Sequence, residues 1–142
     1  RIRTCGSFDL GPTRDITVNY RSNSFFRLDP HVDPQDDGPN VFILGLLSDA
    51  VITFVSPSAP RRIDPVQVAT KSWTDQDIDV LLQKRSLVHF TSDARATWGH
   101  AIRGGLEVEE ANGQRSVVDW WGQPSFLLRR GTDRISVVVA FS

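Results

Sequence analysis

Apolar positions in this chain fall into short, β-branched runs separated by polar connections rich in Pro and Gly, and no long stretch keeps a helical period. Ile16–Tyr20 is the first such run, and Phe25–Leu28 is a second apolar stretch. Leu28 to Asn40 carries Pro30, Pro34, Pro39, Gly38 and several aspartates, and reads as a loop. Val41–Leu47 and Ala50–Val55 follow, and the Ser48-Asp49 pair between them predicts two strands about a tight turn, the first buried on both faces. Residues 56–71 are another Pro-rich connection. Ser72 to Phe90 reads two ways. Thr74 with Asp77 resembles a capping box and Ile78, Leu81 and Leu82 have helical spacing, yet Val80–Leu82 and Leu87–Phe90 read equally well as strands about a turn. One helical turn near Thr74 ahead of those two strands is the expectation. Leu106–Glu110 and Arg115–Trp120 flank Asn112-Gly113, which predicts a hairpin on a type I′ turn. Ile135–Phe141 closes the chain as a buried strand. Short strands at this spacing predict a mainly β domain, a sandwich or barrel, over residues 16–142, with residues 1–15 as a polar arm.

Composition narrows the function classes. The 142 residues suffice for one well-buried domain. A net charge of −1 gives no global field to recruit nucleic acid or an anionic membrane. The single cysteine, Cys5, excludes an internal disulfide and a thiolate zinc site. The longest apolar run, Val41 to Leu47, is too short to span a bilayer, and no signal peptide is visible. These features lead us to expect an intracellular protein, nuclear or cytoplasmic, with no membrane partner. A start at Arg1 and the absence of methionine suggest a piece of a longer protein.

The three histidines are the scarce chemical resource. In extended backbone His31 and Asp33 point the same way, and Pro30 and Pro34 favour that backbone. With a second histidine they would make a two-histidine, one-carboxylate triad with open positions suited to iron(II). With 14 aspartates in the chain, about 0.3 His-x-Asp pairs arise by chance, so a solvated histidine in an Asp-rich turn is the competing reading. His100 follows in Thr97-Trp98-Gly99-His100-Ala101-Ile102. Arg134 opens an apolar strand, where it either caps the strand in solvent or meets an anion inside. A dicarboxylate such as 2-oxoglutarate needs one such bidentate cation at its far end.

Taken in order, Asn19-Tyr20, His31-x-Asp33, Leu46–Phe54, Arg85-Ser86-Leu87, Trp98–Ile102 and Arg134-Ile135-Ser136 resemble the AlkB-like iron(II)/2-oxoglutarate-dependent dioxygenases, and most of all the atypical eukaryotic and plant members. The resemblance covers about residues 16–142. It implies a double-stranded β-helix, a jelly-roll barrel, with iron(II) on His31, Asp33 and His100. It also implies that Arg134 holds the distal carboxylate of 2-oxoglutarate, with Tyr20, Asn19 and Ser136 as polar partners. The implied activity consumes 2-oxoglutarate and O2 in oxidative demethylation or hydroxylation, with alkylated nucleic acid as first substrate class and a protein side chain as the second.

Three departures accompany the resemblance. The family's second arginine, six residues after the first, is Ala140 here. The interval from His100 to Arg134 is long, and the Asn-Tyr pair is displaced relative to His31. The few residues before Ile16 are too short for a nucleotide-recognition lid. Ala140 keeps an alternative in view, a non-catalytic jelly-roll binding module. The remaining conspicuous residues read as structural. His89, Trp98 and Trp120-Trp121 fit strand or core positions, Asp36-Asp37, Arg61-Arg62 and Arg129-Arg130 fit solvated loops, and the Asp75, Asp77, Asp79 series lacks the glycine and terminal glutamate of a calcium loop.

Overall fold

Eleven strands form three antiparallel sheets in a computed structural model that describes residues 8–22, 26–58, 76–121 and 123–142. The strands are β1 (Thr13–Arg21), β2 (Leu28–His31), β3 (Asn40–Gly45), β4 (Ala50–Val55), β5 (Ile78–Leu82), β6 (Leu87–Phe90), β7 (Gly99–Ile102), β8 (Leu106–Glu109), β9 (Arg115–Trp121), β10 (Gln123–Arg129) and β11 (Arg134–Phe141). A 3-10 turn spans Gln35–Asp37 and one short helix, α1, spans Ser92–Ala96. The protein is mainly β, with antiparallel sheets and few helices, as the strand spacing predicts. No helix among the described residues is long and apolar enough to cross a membrane.

Two four-stranded sheets, ordered β1-β11-β3-β6 and β2-β7-β4-β5, pack face to face. Their inner faces follow from the two-residue side-chain period of a strand. Val41 and Ile43 of β3, Ala140 of β11 and Phe90 of β6 meet Ile52 and Phe54 of β4 and Leu82 of β5. A third sheet, β10-β9-β8, covers the outer side of the second through β9, which packs against β4 and β5. That cover explains why every residue of β4 is buried.

Chain connectivity departs from expectation in one respect. Strands β3 and β4 are both present, yet they do not pair. β3 pairs with β11 and β6, whereas β4 pairs with β5 and β7. The Leu46–Asp49 segment carries the chain from one sheet to the other. Both strands are apolar on both faces, so their pattern cannot separate a hairpin from a crossing. The β5–β6 link crosses back beside it, held by Lys84 N–H donating to Asp49 Oδ1 at 2.7 Å and Arg85 N–H to the Gly45 carbonyl at 2.6 Å.

Three local expectations are also corrected. Leu28–His31 is strand rather than loop; Pro30, which has no N–H to give, is tolerated because β2 is an edge strand pairing with β7 alone. The β8–β9 hairpin forms, but its turn is not type I′. Gly113 alone takes positive φ (78°), Gly113 N–H donates to the Glu110 carbonyl at 2.8 Å, and the Asn112 side chain accepts from Gln114 N–H at 2.9 Å. That is a five-residue loop built on a glycine in the left-handed region, with Asn112 acting through its side chain. Strand β1 begins at Thr13, inside the segment read as an arm. The helical turn expected at Thr74 and the Arg61-Arg62 pair lie outside the described residues.

Candidate metal centre and its cavity

Edge strand β2 ends at His31, which sits directly opposite His100 of β7 in the ladder. Their rings lie 4.3 Å apart, centroid to centroid. Beyond the strand end the chain turns, and Asp33 comes back over both rings. Its Oδ1 lies 3.5 Å from His31 Nε2 and 3.6 Å from His100 Nε2. One ligand atom from each of the three residues falls within 4.8 Å of the other two. The structure therefore brings His31, Asp33 and His100 together.

Surrounding groups set the orientation and protonation of each one. His31 Nδ1 lies 2.9 Å from the Asp29 carbonyl, which fixes the proton on Nδ1 and leaves Nε2 free to coordinate. The Asp33 carboxylate raises the His31 pKa, chiefly through hydrogen bonding, and is itself held below the usual carboxylate range by that same partner. Burial pushes His100 down to about 4, so its ring is neutral at pH 7. A neutral imidazole is the form a cation needs. Arg95 of α1 is buried and donates to two backbone carbonyls, Asp33 at 3.0 Å and Pro34 at 2.5 Å. It fixes the backbone that carries the Asp33 carboxylate. The donor set of two imidazoles and one carboxylate, facing an open cavity, fits a divalent transition metal such as iron(II), which would displace the proton that Asp33 favours on His31.

The cavity beside this centre holds about 280 Å³ between the two sheets. Asn19 of β1, Arg134 and Ser136 of β11 and the three clustered groups all line it. Ser136 and Arg134 are buried, the latter only 7% exposed. Arg134 makes no hydrogen bond or ion pair with the described residues, and its guanidinium lies 5.7 Å from the Phe26 ring. Burial lowers its pKa, and the Arg21 and Arg130 cations add to that effect.

Tyr20 is the exception. It adjoins Asn19 and so points to the opposite face of β1, outside the cavity. It is 56% exposed, and its hydroxyl donates to Asp133 Oδ1 at 3.1 Å. Arg21, two residues from Asn19, lines the cavity instead. The same alternation could have identified it from the sequence.

Neither the known protein-family models nor the curated protein sequences contain a match for this chain.

Sequence reasoning also missed a buried ionic network behind the cavity. Arg103 pairs with both Asp79 oxygens, at 2.7 and 3.0 Å, and with Asp119 Oδ1 at 3.3 Å. Arg130 pairs with Asp119 Oδ2 at 2.9 Å. These contacts tie β9 and β10 to β5 and β7. Arg130, first read as a solvated loop cation beside Arg129, is buried here, whereas Arg129 is exposed and pairs with Glu110. No isolated sequence signal marks Arg103 or Asp119, because their partners are supplied by tertiary contact. His89 stacks on Phe42 at 4.3 Å and lies 3.0 Å from Asn40 Oδ1, far from any metal ligand set among the described residues. Trp98 packs against the main core.

Proposed function

We propose that this protein is an iron(II)- and 2-oxoglutarate-dependent dioxygenase built on a jelly-roll barrel, performing oxidative demethylation or hydroxylation. The observation that carries the reading is the convergence of His31, Asp33 and His100 at one end of a cavity that also holds Arg134, a buried arginine with no ion-pair partner among the described residues. The two facing sheets, connected mostly by crossings, support the jelly-roll architecture. When bound, iron(II) supplies activation of O2 coupled to oxidative decarboxylation of the 2-oxo acid.

The chain's own residues divide the remaining work. His31 and His100 present Nε2 to the cation, and Asp33 balances part of its charge. Three protein donors leave a face open toward the cavity for a co-substrate. Arg134 meets the distal carboxylate, and Ser136 offers a hydroxyl from the same face of β11. Asn19, opposite Ser136 across the β1–β11 ladder, adds an amide. The walls between these poles are apolar, formed by Ile43, Ile52 and Val138, and exclude water from the reacting region.

Alkylated nucleic acid is the first substrate class by resemblance, and a methylated or hydroxylatable protein side chain is the second. The net charge of −1 gives the chain no global electrostatic grip on a phosphate backbone. The decisive test is anaerobic addition of iron(II) and 2-oxoglutarate. A weak visible charge-transfer band should form with the wild-type protein and be absent in His31→Ala. Absence of the band in both proteins would overturn the enzyme reading in favour of a binding module. Formaldehyde release from methylated oligonucleotides and peptides then separates the substrate classes.

A further inference from the structure

We propose that Arg21 is a second carboxylate-binding cation of this cavity, acting with Arg134 to make the site selective for a 2-oxo dicarboxylate over a 2-oxo monocarboxylate. The inference rests on the co-substrate reading above and adds to it a residue and a specificity.

Arg21 and Arg134 stand directly opposite each other at one end of the β1–β11 ladder. Both line the cavity. Like charges facing each other across a ladder destabilise the pair, so such an arrangement calls for an anion between or beside them. None is supplied by the described residues. Arg21 donates to the neighbouring Tyr20 carbonyl at 3.1 Å and makes no ion pair with a described carboxylate. Asp133 is the nearest acid in sequence to Arg134, but it accepts the Tyr20 hydroxyl on the outer face. Two other buried arginines show what satisfied guanidiniums look like in this fold: Arg103 and Arg130 have Asp79 and Asp119. Arg134 is more than nine-tenths buried and has none of these.

The metal cluster occupies the opposite end of the cavity. His100 lies 5.6 Å from the Phe90 ring, Phe90 is opposite Val41, and Val41 is opposite Ala140, near the far end of β11 from Arg134. A ligand chelating the cation through a 2-oxo acid therefore reaches across apolar Val138 and Ile43 toward the two arginines. A carboxylate at that far end is shared by both guanidiniums. A methyl group there leaves them facing each other unpaired.

The experiment is calorimetric titration of the anaerobic iron(II)-loaded protein with 2-oxoglutarate and, separately, with pyruvate. Arg21→Gln should weaken 2-oxoglutarate binding by about 10-fold, since Arg21 is at the exposed rim, and Arg134→Gln by more, since Arg134 is buried. Arg21→Lys, which keeps the charge, should recover most of the loss. Pyruvate affinity should be unchanged by Arg21→Gln. If Arg21→Gln leaves 2-oxoglutarate binding within twofold of wild type, or weakens both acids equally, the inference is overturned while the co-substrate reading stands. If the wild-type protein binds neither acid in a metal-dependent way, both are overturned.

Discussion

Replacing Asp119 by Ala tests whether the buried ionic network is what anchors the β8–β10 sheet to the rest of the fold. Asp119 is 1% exposed and serves three donors: Arg103 Nε at 3.3 Å, Arg130 Nη2 at 2.9 Å and its neighbour's amide, Trp120 N–H, at 2.8 Å. Two guanidiniums and two carboxylates, Arg103, Arg130, Asp79 and Asp119, balance inside the protein. Removing one carboxylate leaves a net positive charge there. Breaking a buried pair from one side typically costs about 3–5 kcal/mol. The lower end applies here, because Arg103 keeps Asp79 and the Trp120 carbonyl at 2.7 Å, and Arg130 keeps the Phe26 carbonyl at 2.8 Å. Equilibrium urea unfolding of wild type, Asp119→Ala and Glu107→Ala reads the difference. Glu107 is the control, since its pair with Arg115 is exposed and should contribute under about 1 kcal/mol. A loss at Asp119 no larger than at Glu107, with an unchanged denaturant slope, would refute the network's role.

Acid should destabilise the metal-free protein through His100. Its folded pKa is pushed down to about 4, so the unfolded chain binds the extra proton from pH 6.5 downward and about 3 kcal/mol is lost by pH 4. Urea unfolding of chelator-treated protein should show this slope and His100→Asn should flatten it; equal slopes sink the argument. His31 works in the opposite sense: its pKa is raised, so its contribution is complete below pH 6.5 and fades as pH rises through the raised value. Arg95→Gln should release the Asp33 backbone and weaken manganese(II) binding by about 10–100-fold in calorimetry, with Arg95→Lys intermediate; unchanged affinity would remove Arg95 from the site. Gly38→Ala should cost about 2 kcal/mol in thermal unfolding, because Gly38 has φ 94° and an added Cβ runs into the Phe141 carbonyl. A neutral result there would mean that the Gln35–Asp37 turn shifts freely.

Strand content was readable because it depends on local pattern, and connectivity was not because it depends on which apolar face meets which. β3 and β4 illustrate the difference: adjacent in sequence, strongly apolar and separated by a good turn, they nonetheless belong to different sheets. The His31, Asp33 and His100 cluster was readable for a related reason. His31 and Asp33 are local neighbours, and His100 follows a strand that could be placed from its own residues. Tyr20 and Arg21 show how a one-residue shift in strand phase exchanges a lining residue for an outer one. Arg95, Arg103 and Asp119 carry no local signature, since each acquires its partner only when distant strands meet.

Ala140 takes on a different meaning once β11 is placed in the fold. From Arg134 to Ala140 the strand spans about 20 Å, and both residues line the cavity. Arg134 is opposite Arg21 at one end, and Ala140 is opposite Asp15 at the other, beside the 3-10 turn that carries Asp37. An arginine at position 140 would bring a cation to the end that holds His31, Asp33 and His100. With alanine there, Asp33, Asp15 and Asp37 line that end, and the arginine acting on Asp33 among the described residues is the backbone-bonded Arg95. On the proposed reading, a divalent metal would supply the counter-charge for these acids. The missing arginine and the additional Arg21 therefore act in one direction: they concentrate fixed positive charge where a distal carboxylate would lie and leave the opposite end negative, where a bound cation would be held.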